Sequence, residues 1–160
     1  MYKRQDSNTE EIKVIDVSNP GTPTKVDAAS VNLPGTSNSE TIDGFPNTLV
    51  VGRQNGDLYL VDVSSPTSPL ICNSSPFNAG DIINDISLGN DNNYAFIGTD
   101  SNSGELQVVN VSNPSQPSLV GQGNTTPNND LNGVIYYAGK DRVFAVGDSD
   151  TEEFIVIRPQ

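Results

Sequence analysis

One segment of this chain recurs at a nearly fixed interval, and that recurrence limits what the chain can fold into more than any other feature. Residues Glu11–Pro20, Asp57–Pro66 and Glu105–Pro114 each open on a carboxylate, pass through an apolar run and close on a Val-Ser-x-Pro turn, with starts 46 and 48 residues apart. A fourth start, Glu153-Phe154-Ile155-Val156-Ile157-Arg158, follows 48 residues after the third. A period of this size marks a structural unit that cannot bury its apolar surface alone and does so by stacking on its neighbours. The units are therefore residues 11–56, 57–104 and 105–152, with a closing segment at 153–160.

Within a unit the apolar runs are short and rich in Val, Ile, Tyr and Phe, which suits strands and is too short for helices. The second unit predicts strands at 57–63, 69–73, 82–88 and 93–98. The third predicts them at 105–111, 118–122, 132–137 and 142–147. In the first unit, 47–53 is the clearest later strand. Leu58-Tyr59-Leu60-Val61 and Leu106-Gln107-Val108-Val109 show little polar alternation, so both faces of their sheets should meet neighbours. Four strands per unit and a period in the forties point to an all-β chain of β-propeller blades: three blades and a C-terminal strand, a partial propeller. The composition agrees, with hydrophobic residues at 34% and Asn, Ser, Gly and Pro gathered in short turn-forming clusters.

The residues Val14-Ile15-Asp16-Val17-Ser18-Asn19-Pro20, Leu60-Val61-Asp62-Val63-Ser64-Ser65-Pro66 and Val108-Val109-Asn110-Val111-Ser112-Asn113-Pro114 resemble the LVIVD repeat family of β-propellers. The family's further strand is matched by Tyr94-Ala95-Phe96-Ile97 and, altered, by Val143-Phe144-Ala145-Val146, with Thr48-Leu49-Val50-Val51 departing furthest. The resemblance implies a bacterial or archaeal cell-surface or secreted protein, often with more blades, and carries no agreed catalytic residues. Similar repeats also occur behind pilin-like N-terminal segments.

Residues 1–5, Met-Tyr-Lys-Arg-Gln, resemble the translation of a transposon-derived sequencing adapter. Asp6–Ile12 matches Asp100–Leu106 and Asp148–Phe154, both of which have a strand upstream. The expectation is that residues 6–160 are the C-terminal part of a longer protein met at the end of an assembled DNA contig, and that residues 1–5 do not belong to its fold.

Several features carry two readings. The Pro-x-x-Pro spacing at Pro20, Pro66 and Pro114 would suit polyproline-binding domains, but its place in every unit favours turns that pre-set φ. Asp16, Asp62 and Asn110 share one position and would bind a cation if they faced a channel; an Asx residue before Ser-x-Pro more commonly holds local backbone. The loops Asp100–Glu105 and Asp148–Glu152 alternate oxygen donors in a way that admits Ca²⁺, without the twelve-residue spacing of an EF-hand. Calcium is the one cofactor the sequence admits, and otherwise none is expected. Candidate binding residues are Asp100, Glu105, Asp148 and Asp150, with Phe45 and Phe77, each an exposed aromatic beside Pro in a loop, as surfaces for sugars or partners, although such rings more commonly cap a blade. Asn73-Ser74-Ser75, Asn110-Val111-Ser112 and Asn124-Thr125-Thr126 match the glycosylation pattern by chance expectation in so Asn-rich a chain. Cys72, the single cysteine, reads as a small hydrophobe in a strand.

The charge excludes more than it specifies. Lys and Arg number 8 against 20 Asp and Glu, for a net charge of -12, with half of it in the unit at 57–104; such a chain repels nucleic acid and anionic membrane surfaces. No apolar run is long enough to span a bilayer as a helix. The chain has no histidine, which removes Ser-His and Cys-His nucleophile pairs and most zinc sites. The expected role is non-catalytic recognition or scaffolding through blade loops, toward a protein or glycan. The alternative is a fragment of an extracellular glycan hydrolase or lyase, its paired carboxylates lying partly in further blades. Open blade faces also predict self-association, with two chains closing a six-bladed ring.

Overall fold

In a computed structural model the described residues are 10–26, 29–125, 130–150 and 153–157; the segment 1–5 read as foreign lies outside them, as do Glu152 and Arg158–Gln160. Among the described residues all regular structure is β. The strands are β1 (Ile15–Asp16), β2 (Thr24–Lys25), β3 (Ser39–Phe45), β4 (Thr48–Arg53), β5 (Asp57–Asp62), β6 (Leu70–Ile71), β7 (Phe77–Asn78), β8 (Ile83–Leu88), β9 (Tyr94–Thr99), β10 (Leu106–Asn110), β11 (Ser118–Gly123), β12 (Leu131–Tyr137), β13 (Arg142–Gly147) and β14 (Phe154–Ile157). They form four antiparallel sheets: β1-β2, β3-β4-β5 with β6 and β7 both on β5, β8-β9-β10-β11, and β12-β13-β14. The strand positions are those the apolar runs predict, to within one or two residues at most ends.

The sheets are out of phase with the sequence repeats. The second, third and fourth each take their first two strands from one repeat and the next from the repeat that follows. Thus β3 and β4 lie before residue 57 and β5 after it, and the hydrogen-bonded ladders β4–β5, β9–β10 and β13–β14 each cross a repeat boundary. Successive repeats are therefore tied by backbone as well as by packing. The closing segment follows this rule: Phe154–Ile157 pairs with β13 of the repeat before it.

The sheets stack face to face in chain order. Beside the exposed strands of the first sheet, Ile12 and Val31, joined by an isolated bridge, and Leu33 pack against Val51, Tyr59 and Val61 of the second. Between the second and third, Val50, Leu58 and Leu60 meet Ile83, Ile86, Ala95, Ile97, Val109 and Val111. Between the third and fourth, Leu106 and Phe96 meet Leu131, Val134, Val143 and Ala145. Alternate residues of β5 thus enter two cores, which is why Leu58-Tyr59-Leu60-Val61 lacks a polar face. In β14, packed on one side, exposed Phe154 and Val156 alternate with half-buried Ile155 and Ile157.

The innermost strands carry the polar part of the joints. β3, β8 and β12 share a bulge at the same place, between Ser39/Thr41, Ile83/Asp85 and Leu131/Gly133, and bulges re-aim the side chains beside them. Asp43 Oδ2 accepts from the backbone N–H of Leu88 (2.9 Å), Asp85 Oδ2 from that of Val134 (2.8 Å) and Ser87 Oγ from that of Tyr136 (2.9 Å). Edge amides that a sheet leaves unpaired are thereby satisfied by the preceding sheet.

The recurring turn is local, as the Asx reading requires. Asp16, Asp62 and Asn110 accept through Oδ1 from the backbone N–H of Ser18, Ser64 and Ser112 at 2.8, 2.8 and 2.9 Å. These bonds hold the Asp16 and Asp62 carboxyls below the usual aspartate range. The hairpin tips β8–β9 and β12–β13 turn through Asn92 and Asp141 at φ of 58° and 50°, a conformation these two residue types tolerate.

Candidate binding site

The third–fourth joint differs at its two ends. Toward the hairpin tips it opens into a cleft of about 440 Å³ lined by Phe96, Leu106, Val108, Tyr136 and Ile157, with Gln122, Asp141 and Arg142 as polar groups. The rings of Phe96 and Tyr136 stack at 5.1 Å between centroids, 10° from parallel, giving the cleft an aromatic wall. Gly121 and Gly123 of β11 supply no side chain, and a Cβ at either would meet nothing within 4 Å, which leaves the opposite wall open. Tyr136 Oη donates to Asp141 Oδ1 (2.9 Å), the main cause of its raised pKa. Arg142 Nη1 donates to the carbonyls of Lys140 (3.0 Å) and Asp141 (2.7 Å). A largely apolar recess with a few fixed polar groups suits a flat or aliphatic ligand.

The other end of the joint gathers acids. Asp130, directly before β12, has its carboxyl raised above the ordinary range, first by burial and then by the charges of Asp100, Asp148, Asp81 and Glu105. Asp148 Oδ1 accepts from the Asp130 backbone N–H (3.2 Å), and Asp100 Oδ1 accepts from Asn84 Nδ2. Glu105 is buried, at 1% exposure, and its Oε2 accepts from the Thr125 backbone N–H (3.0 Å). Asp100 and Glu105 of one loop and Asp148 of another, read separately in the sequence, thus converge across one joint, while Asp150 is exposed. Asp130 itself is missed by sequence reasoning, since nothing distinguishes it from the Asn residues before it. Among the described residues no three Asp, Glu or Cys side chains stand close enough together to hold a metal ion.

Phe45 and Phe77 are not exposed loop aromatics. Both are half-buried against the core of the second–third joint, beside Cys72 and Leu88; Phe45 ends β3 and Phe77 begins β7, so burial of their rings outweighs display. Burial likewise pushes the Cys72 thiol up.

Comparison with known proteins bears on the fold. The model of the LVIVD repeat matches residues 7–29, 47–75 and 83–125, more than half of the chain. No curated protein sequence matches it. Among solved structures, the β-propeller domain of Cps50 (Swd1) from Myceliophteria thermophila is similar at 15% identity and a TM-score of 0.67, over 91% of this chain and 50% of that one. The computationally designed Ika4 protein is similar at 12% identity and 0.65, over 97% of this chain and 83% of that one. A chain of a nidogen/laminin complex is similar at 13% identity and 0.55, over 94% and 56%. At these identities the likeness is one of fold, and the chain spans half the length of the first of these propellers.

Proposed function

The chain belongs to the LVIVD repeat family, and from that membership we propose that it is a non-catalytic recognition and scaffold propeller of a microbial cell-surface or secreted protein. The observation that carries this reading is the cleft at the third–fourth joint, with its Phe96–Tyr136 wall and its few polar groups. The hairpin tip at 137–142 and the end of β11 at 121–123 border it, and the stacked sheets hold them in place. A rigid scaffold presenting a preformed recess gives affinity without a large ordering cost. The acids that gather at Asp130 lie toward the opposite end of β12 from the cleft, so a sugar seated against Tyr136 would not sit between them as glycoside hydrolysis requires.

Glycan and peptide arrays probed with the labelled chain test the reading. Gly121→Leu projects a side chain into the recess from a position with free space, so it should abolish array binding while leaving the thermal transition in place. Equal binding by Gly121→Leu and the parent chain would contradict the cleft. Release of sugars from any bound glycan would favour the hydrolase reading instead.

A further inference from the structure

Each repeat opens on a carboxylate at one position, Glu11, Asp57 and Glu105, and the three joints surround it differently. At the first joint, Glu11 Oε2 accepts from the Leu33 backbone N–H (2.7 Å) and Oε1 faces Arg53 Nη2 (3.4 Å), with side-chain exposures of 9% and 1%. The same guanidinium donates to the carbonyls of Pro34 (2.6 Å) and Ser37. At the second, Asp57 accepts from Asn55 Nδ2 (2.7 Å) and Asn78 Nδ2 (2.9 Å).

At the third joint half of this arrangement is present. Glu105 Oε2 accepts from Thr125 N–H as Glu11 Oε2 accepts from Leu33 N–H. Glu105 Oε1 is buried and has no hydrogen-bond partner among the described residues, and neither has the buried Oγ1 of Thr125. The strand registers say why. Arg53 pairs with Ser39, Thr99 with Ile83 and Gly147 with Leu131, all at the bulge, so the place that holds Arg53 at the first joint holds Gly147 at the third. The guanidinium is deleted and its carboxylate partner is retained, among the further negative charges of Asp81, Asp100, Asp130 and Asp148.

We propose that the position beside Glu105 and Thr125 receives a guanidinium group from outside the chain, the group that Arg53 supplies internally at the first joint. A planar fork of N–H donors matches a carboxylate oxygen and a neighbouring hydroxyl together. Because among the described residues no three carboxylates close on a common point, an organic cation fits better than a metal ion. The group comes either from an arginine side chain of a partner polypeptide or from a free alkylguanidinium. The inference does not depend on the ligand of the cleft, which lies at the other end of the joint.

The test compares the parent chain, Glu105→Gln and Gly147→Arg by thermal unfolding, with agmatine, with CaCl₂ and with NaCl at matched ionic strength. Agmatine should raise the parent's Tm saturably and leave Glu105→Gln unmoved. Gly147→Arg should have a higher Tm without ligand and no longer respond. If Glu105→Gln does not fold, the parent and Gly147→Arg still decide. No saturable rise in the parent, an equal rise in Gly147→Arg, a Gly147→Arg chain less stable than the parent, or a rise with CaCl₂ alone would each overturn the proposal. A short arginine-containing peptide that binds more tightly than agmatine identifies a partner side chain as the source; the reverse order identifies the free molecule.

Discussion

Gly52 in the second sheet, Gly98 in the third and Val146 in the fourth occupy one register position, opposite Thr41, Asp85 and Gly133. At the first two, the missing side chain is space that the next sheet uses. A Cβ on Gly52 would lie 2.5 Å from Ile83 Cγ2, and one on Gly98 would lie 3.0 Å from the Leu131 carbonyl oxygen and 3.1 Å from Val134 Cγ1. In the fourth sheet the glycine has moved to the neighbouring strand and Val146 fills the slot, with Gly133 beside it. The polar contacts change in parallel. Asp43 and Ser87 reach across to the next sheet's backbone, whereas the residue in their register place on β12 is Ile135, 59% exposed. The second and third sheets are thus shaped to receive a sheet of their own kind, and the outward face of the fourth is an apolar surface with a shallow recess at Gly133, Ile135 and Val146, on which Phe144 stacks with Phe154 at 5.8 Å. One repeat in sequence yields two kinds of face, depending on which strand carries the glycine.

Filling the slots should give the largest effect. Gly52→Val and Gly98→Val force side chains into the facing sheet, and overpacking of this kind costs about 1–3 kcal/mol; Gly52→Val should be the worse, since the Cγ2 and Cβ of fully buried Ile83 stand at 2.5 and 2.9 Å, while nothing at Gly98 is nearer than 3.0 Å. Chemical denaturation followed by circular dichroism reads the difference, and tolerance of both substitutions would break the comparison. Next comes Asp85→Ala, which removes the acceptor for Val134 N–H and the Thr41 contact and should cost about 1–2 kcal/mol as a lost partner of a buried donor.

A smaller effect, of opposite sign, belongs to the acidic end of the third–fourth joint. The Asp130 carboxyl is raised, so ionising it works against folding: its favourable contribution is present below the ordinary aspartate value of about 3.8 and is lost as pH rises through the folded-state value. Asp130→Asn should raise Tm at pH 7 and make no difference at pH near 3. A decrease at pH 7 would show that the charge is stabilised there instead. Smallest of all is Ile135→Ser on the outward face of the fourth sheet, where an exposed site away from any partner should move stability by no more than about 0.5 kcal/mol. A large loss there would mean that the face is already covered.

Strand positions and turns were legible because they rest on local chemistry: short apolar runs at 57–62 and 94–99, and Asx-Val-Ser-x-Pro closing the recurring segment. The phase of the sheets was not, since a period fixes spacing and leaves the origin open; only the β4–β5 ladder shows that Asp57 is the middle of a sheet and not its start. The exchange of Gly for Val at 146 looked like ordinary strand sequence until register placed it opposite Gly133. Glu105 was visible as one of several loop acids, but its orphaned oxygen depends on Gly147, forty-two residues away in sequence, and no local pattern connects the two. Display and capping both stood open for Phe45 and Phe77, because a Pro neighbour marks a turn without saying which way the ring points.

The most direct test of the stacked-sheet account is residue-resolved hydrogen exchange at Leu88, Val134 and Tyr136. Their N–H groups are bonded to side chains of the preceding sheet, Asp43, Asp85 and Ser87. Slow exchange at all three, with Val134 losing protection in Asp85→Ala and Tyr136 in Ser87→Ala, is the result this account predicts. Exchange at the rate of free amides would mean that the sheets do not stack through these strands.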